Sequence, residues 1–268
     1  MRAFLLVLVL AGCGGSGDDD SNTVIAAFYP LAWAAERIAT ERTEVVNLTP
    51  PGAEPHDVEL SPRGAERVRE ALVVLYAGGG FQPAVEDAVA ERNGISLDVV
   101  DGDRDPHVWL DPLRFARVVM EIGRALGRPE RGDELADELT RLDESYRRGL
   151  ERCERRTLVA SHAAFGHLTT RYGLTQLSLT GISPEAEPGP RELEQLIDDV
   201  RASGATTVFA EPLVSDRVAQ TVALETGADV AVLDPLEGLS DARLAAGEDY
   251  LSVMRANLAA LQEALGCR

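Results

Sequence analysis

Four histidines, His56, His107, His162 and His167, are the only imidazoles in a chain of 268 residues. His56 stands in Glu54-Pro55-His56-Asp57, and His107 in Asp105-Pro106-His107-Val108-Trp109-Leu110-Asp111-Pro112. The other two share Ser161-His162-Ala163-Ala164-Phe165-Gly166-His167. Proline fixes its own φ and turns the residue before it away from the helical region. Asp105 and Asp111 should therefore be extended, with Pro112 opening a helix that Asp111 caps. His107 is then held on a short rigid loop, which suits a ligand. So few imidazoles, each in a setting marked by Pro or Gly, read as a dispersed metal site rather than as surface decoration.

The elements that must position them alternate. Thr23 to Phe28 reads as a buried strand ended by Tyr29-Pro30, Leu31 to Thr40 as a helix, and Val45 to Leu48 as a second strand. Ser61-Pro62 opens a helix, Ala71 to Tyr76 is an apolar run that predicts a strand buried on both faces, and Gln82 to Arg92 is helical. Ser96 to Val100 is a further strand, and the loop after it delivers His107. From Leu113 to about Arg155 the pattern is wholly helical, broken at Gly127-Arg128-Pro129. Its second part is highly charged with only a thin apolar stripe, which suggests poor cover by other elements and a connector between lobes. Alternation then restarts with strands at Thr157 to Ala160, Thr175 to Leu179, Thr206 to Ala210 and Ala228 to Leu233, and a last helix runs from Asp249 to Leu265. The expected fold is α/β: two lobes, each a mainly parallel sheet flanked by helices, joined by a long helix. In such sheets ligands bind beyond the carboxyl ends of the strands. His56, His107, His162 and Asp234 each follow a strand at that end, two from each half, so a cleft between lobes would gather all four.

Composition narrows the function. Net charge is −19 and every basic residue is Arg, which argues against nucleic acid as a partner. The opening MRAFLLVLVLAGC has a basic start, an apolar run too short to span a bilayer, and a Leu10-Ala11-Gly12-Cys13 end. That end resembles a bacterial lipobox, which implies lipid on Cys13, membrane anchoring and an oxidising, extracytoplasmic compartment. Residues 14–22 read as a flexible acidic tether. Cys153 and Cys267 remain for the mature fold, and an even pair in that compartment suggests one disulfide. Two free buried thiols are the alternative.

Taken together, PGAEPHDVELSP, DPHVWLDP, SHAAFGHLTTRYGL, SPEAEPGP and FAEPLVSDRVAQTVALETGADVAVLDPLEG resemble the extracytoplasmic solute-binding proteins of zinc and manganese ABC importers. The resemblance covers nearly the whole mature chain. It implies a signal peptide over residues 1–13, lobes over 23–128 and 157–268, and a connecting helix over 129–156. By motif it places the metal ligands on His56, His107, His162 and Asp234. Three imidazoles with one carboxylate suit Zn²⁺. Manganese-binding relatives carry a carboxylate at the position of His162, so His there favours zinc over Mn²⁺. Glu185, Glu187 and Glu211, like Asp57, are candidate acceptors that orient ring N–H groups. Trp109 is expected to shield the site and Asp111 to cap a helix. His167 lies about 140° around a helix from His162, pointing away from the metal, and the family more often has an aromatic there. The His-rich loop of many zinc-specific relatives is absent, so the zinc assignment leans on His162.

The function expected is a lipid-anchored, monomeric receptor delivering Zn²⁺ to the membrane permease of an ABC importer. A manganese or iron receptor of the same family, or a surface adhesin on the same fold, is the alternative. An enzyme is not expected, because four protein ligands leave no open position for water and no HExxH motif is present.

Overall fold

The computed structural model describes residues 22–100, 102–182, 184 and 188–268. Cys13, Glu185 and Glu187 lie outside them. The first half runs β1 (Thr23–Ala26), α1 (Tyr29–Ile38), β2 (Glu44–Asn47), α2 (Pro62–Glu70), β3 (Val73–Tyr76), α3 (Pro83–Ala90) and β4 (Ile95–Asp98). Two helices follow, α4 (Pro112–Ala125) and α5 (Pro129–Gly149). The second half runs β5 (Thr157–Ala160), α6 (Gly166–Tyr172), β6 (Thr175–Ser178), α7 (Pro190–Ser203), β7 (Thr207–Ala210), α8 (Arg217–Thr226), β8 (Asp229–Val232), α9 (Asp241–Ala245) and α10 (Tyr250–Leu265).

Each half forms a four-stranded parallel sheet, ordered β2-β1-β3-β4 in one and β6-β5-β7-β8 in the other. The continuous apolar runs explain the central strands: Val24, Ile25, Val73, Val74 and Leu75 are all fully buried, as parallel sheets covered on both faces require. Because every strand pair is parallel, all loops at the carboxyl end of a sheet open on one side. Tyr29 and Pro30, expected to end the first strand, instead form the first turn of α1, where the missing N–H of proline costs nothing.

The stripe on α5 is thin but fully used. Leu135, Leu139, Leu142 and Tyr146 are buried against α1, α4 and α10, so this helix is covered better than its polarity suggests. Gly132 of α5 abuts Gly123 of α4, and a Cβ on Gly132 would come within 2.8 Å of the Val119 carbonyl. The Tyr146 hydroxyl donates to the Met254 carbonyl of α10 at 2.6 Å. The helix stops at Gly149, short of the expected Arg155, because the chain then turns to lie beside the end of α10. There Arg155 N–H donates to the Leu265 carbonyl at 3.0 Å, and Cys153 is bonded to Cys267, with the sulfurs 2.03 Å apart. One apolar core runs through both lobes, with Trp33 of α1 stacked on Tyr250 of α10 at 4.7 Å between centroids. Among the described residues no helix is long and apolar enough to cross a membrane.

Candidate metal centre

Each histidine of the centre lies on a short 3-10 turn or at its start, beyond the carboxyl end of a strand. His56 is the middle residue of the turn Pro55–Asp57, which Glu54 caps by accepting the His56 N–H at 3.3 Å. His107 precedes the turn Val108–Leu110, and His162 precedes Ala163–Phe165. Asp111 caps α4 through the amides of Leu113 and Arg114.

The imidazoles are aimed by carboxylates. Asp105 Oδ1 accepts both the His107 N–H at 3.1 Å and its Nδ1–H at 2.7 Å. Glu211 takes the same grip on His162 with its two oxygens, at 3.0 Å from the backbone nitrogen and 2.6 Å from Nδ1. With the Nδ1 of His107 and of His162 donating to a carboxylate, Nε2 is the nitrogen left to bind a metal once its proton is displaced. Glu211, a candidate acceptor in the sequence, accepts here from the ring of His162. The sequence marks Asp105 only as an extended residue before proline; a carboxylate two positions ahead of a candidate histidine is the signal for its role.

Three Nε2 atoms converge on Glu237, not on Asp234. Glu237 Oε1 lies 3.4 Å from His56, 3.0 Å from His107 and 3.3 Å from His162, and the Nε2 atoms of His107 and His162 are 3.4 Å apart. Bonds of 2.0–2.1 Å to one central ion require donor separations of about 3.3 Å at a tetrahedron's edges. The four separations match to within about 0.3 Å. His56 stands slightly back: its ring centroid is 6.0 and 6.3 Å from the other two, which are 5.3 Å apart. His56, His107, His162 and Glu237 are the single group among the described residues with donor atoms close enough to share an ion.

Asp234, expected as the fourth ligand, is occupied elsewhere. Its Oδ2 pairs with Arg243 at 2.5 Å and its Oδ1 accepts the Leu236 N–H at 2.7 Å. Asn257 clasps its backbone from both sides, at 3.0 and 2.7 Å. This grip sustains an unusual turn, since Leu236 has φ 58°, a left-handed setting that costs a leucine roughly 1–3 kcal/mol. The turn carries Glu237 into the centre.

The electrostatics follow from burial. His107 and His162 are fully buried and Glu237 is 1% exposed. Burial alone would strip His162 of its proton, but Glu211 and Glu237 outweigh it and raise its pKa from 6.5 to about 10. Burial works against the charged form of His107 too, and Asp105 with Glu237 again prevails, raising it. Burial would neutralise Glu237, yet its hydrogen bonds with the three imidazoles hold its pKa well below the carboxylate range. Glu54, by contrast, is pushed up to about 8 by burial and by the nearby charge of Glu237. Aromatic rings wall the centre: Phe81 lies edge-on to His56 at 4.4 Å and Trp109 is 5.2 Å from His107.

The lobes are joined around the same atoms. Gly52 N–H donates to the Leu239 carbonyl at 3.1 Å, and the Trp109 indole donates to the Pro235 carbonyl at 2.7 Å. Tyr250 reaches the Trp109 carbonyl at 2.5 Å, and Arg171 of α6 pairs with Asp111. Trp109 is therefore a seam residue as well as a shield.

A family model described as "Zinc-uptake complex component A periplasmic" matches residues 24–264. The chain belongs to this family. Over 283 aligned residues it is 30% identical to the zinc-binding protein AdcA of Streptococcus pyogenes serotype M1, covering 89% of this chain but 55% of that protein. It thus spans about half the length of AdcA. The high-affinity zinc uptake system protein ZnuA of Bacillus subtilis is 28% identical, with 96% of this chain and 94% of that one covered. Among solved structures, the laminin binding protein Lmb of Streptococcus agalactiae superposes with a TM-score of 0.82 at 29% identity, covering 91% of this chain and 99% of that one. The Zn(II)-bound ZnuA-like domain of Streptococcus pneumoniae AdcA gives 0.76 at 30% identity, covering 91% and 98%.

Proposed function

We propose that this protein is the extracytoplasmic receptor of a zinc importer. It takes one Zn²⁺ between its lobes on His56, His107, His162 and Glu237 and delivers it to the permease of an ABC transporter. The observation that carries this reading is the spacing of the four donors around one point. Three imidazoles and a carboxylate suit Zn²⁺ better than Mn²⁺, whose preferred ligands are oxygens. Four protein donors close the coordination sphere and leave no position for a reactive water, so the site captures rather than catalyses. Family membership and the zinc-bound AdcA domain support the choice of metal.

Lipid on Cys13, a tether after it, and lobes over residues 23–128 and 157–268 joined through 129–156 complete the proposal. The name of a Streptococcus pneumoniae relative, zinc-binding lipoprotein AdcA, supports the anchor. Adhesion is a second reading, favoured by the likeness to Lmb, described as a bifunctional protein with adhesin and metal transporting activity. Metal content by mass spectrometry, with Zn²⁺ and Mn²⁺ in competition, tests the first reading. One zinc per chain is expected; preference for manganese, or no bound metal, would overturn it. Binding to immobilised laminin tests the second.

A further inference from the structure

His167 takes no part in the donor cluster, yet it is buried and its ring crosses the seam. Its Nε2 donates to the Asp105 carbonyl at 2.9 Å and lies 3.8 Å from Asp105 Oδ2. The residue before it makes the approach closer still. A Cβ on Gly166 would come within 2.5 Å of that same Oδ2. So the start of α6, in the C-terminal lobe, sits directly against the residue whose other carboxylate oxygen aims His107 in the N-terminal lobe. His162 itself stands four residues before Gly166, in the same lobe as α6.

We infer that His167 is a positioning residue of the metal centre: with the bare Gly166 beside it, it docks the C-terminal lobe onto Asp105 and so fixes the carboxylate that orients His107. Asp105 is flanked by Pro106, whose ring holds one side of the residue rigid. On the other side Asp103 Oδ1 accepts the Asp105 N–H at 3.3 Å, and the carbonyl on the proline side is held by His167. Without that bond the Asp105 backbone can swing, the Oδ1 contacts with His107 loosen, and the Nε2 lone pair no longer points steadily at the ion. A ligand of one lobe is thus aimed only when the other lobe is seated. The inference rests on the metal-site reading above.

The test compares His167→Phe, His167→Gln and Gly166→Ala with the wild-type protein. Phenylalanine keeps the bulk of the ring and removes the donor; glutamine restores a donor nitrogen at similar reach. Gly166 has φ −57° and ψ −46°, which alanine accepts, so that substitution displaces the Asp105 carboxylate without straining the helix. Zn²⁺ release into excess chelator is timed, the absorption bands of Co²⁺-loaded protein report donor geometry, and the melting temperature of metal-free protein reports the fold. His167→Phe and Gly166→Ala should each bind one metal, release zinc about tenfold faster or more, and shift the cobalt bands, as losing a ligand's outer hydrogen bond does. His167→Gln should lie near wild type. Wild-type rate and spectrum in both His167→Phe and Gly166→Ala would overturn the inference. So would equal impairment of the Phe and Gln variants together with a lowered metal-free melting temperature, which marks simple packing. Wild-type protein that binds neither ion would overturn the metal-site reading itself, a result distinct from either.

Discussion

Asp234 holds Arg243 and the Leu236 amide, and by doing so it delivers Glu237, three residues further on, to the three imidazoles. One carboxylate shapes the loop and the other faces the three imidazoles. Their substitutions should separate. Glu237→Ala removes a donor and should cost more zinc affinity than the roughly 10–100-fold typical of an outer hydrogen bond. Asp234→Asn should keep one zinc per chain with a far smaller loss, and lower the melting temperature. Competition titration against a chromophoric chelator decides between them; the reverse order of losses would return Asp234 to the ligand set.

The metal-free centre is pH-sensitive in a definite direction. The His162 pKa is raised from 6.5 to about 10 in the folded chain. Its proton-linked stability is therefore complete below about pH 6.5 and lost as pH rises toward about 10. Metal-free protein should melt at progressively lower temperature across that window. Zinc takes the place of the ring protons, so the loaded protein should show a shallower fall, and loading at neutral pH should release protons. Thermal scans with chelator or with zinc between pH 6.5 and 10 check the sign. A metal-free melting temperature that rises with pH would contradict the account.

Asp105 and Glu211 act as equivalents in opposite lobes. Asp105→Ala and Glu211→Ala should each weaken zinc binding by about 10–100-fold while leaving the stoichiometry at one. Calorimetric titration of both variants is the measurement. Retention of wild-type affinity in either would mean that packing alone aims the ring.

The bond between Cys153 and Cys267 closes a loop with a sequence separation of 114. It ties the turn after α5 to the end of α10, away from the donors. A double Cys153→Ser, Cys267→Ser variant should lose about 2–5 kcal/mol in denaturant unfolding. Its zinc affinity should be unchanged. An unchanged denaturation midpoint would show that the hydrogen bonds around Arg155 suffice.

Much of this was legible from residue types. The two-lobe α/β architecture follows from apolar runs alternating with helical spacing, and the grouping of His56, His107 and His162 from their places beyond strand ends beside Pro or Ser. The fourth donor was not legible, because its position depends on a left-handed turn at a leucine. Nothing in local propensity favours that conformation there; the turn is held by Asp234 within the loop, which Arg243 of α9 pairs and Asn257 of α10 clasps. The burial of α5 is not legible for a related reason: a narrow stripe is enough when glycines let two helices touch. The role of Asp105 is masked by Pro106, whose conformational effect accounts for the same residue without its carboxylate.

The bonds across the seam have a mechanical corollary. Gly52 to Leu239, Trp109 to Pro235 and His167 to Asp105 each tie a loop of one lobe to a loop of the other beside the donors. Leverage applied anywhere along that join is transmitted to the donors themselves. Parting the lobes would break these bonds and draw His162 and Glu237 away from His56 and His107.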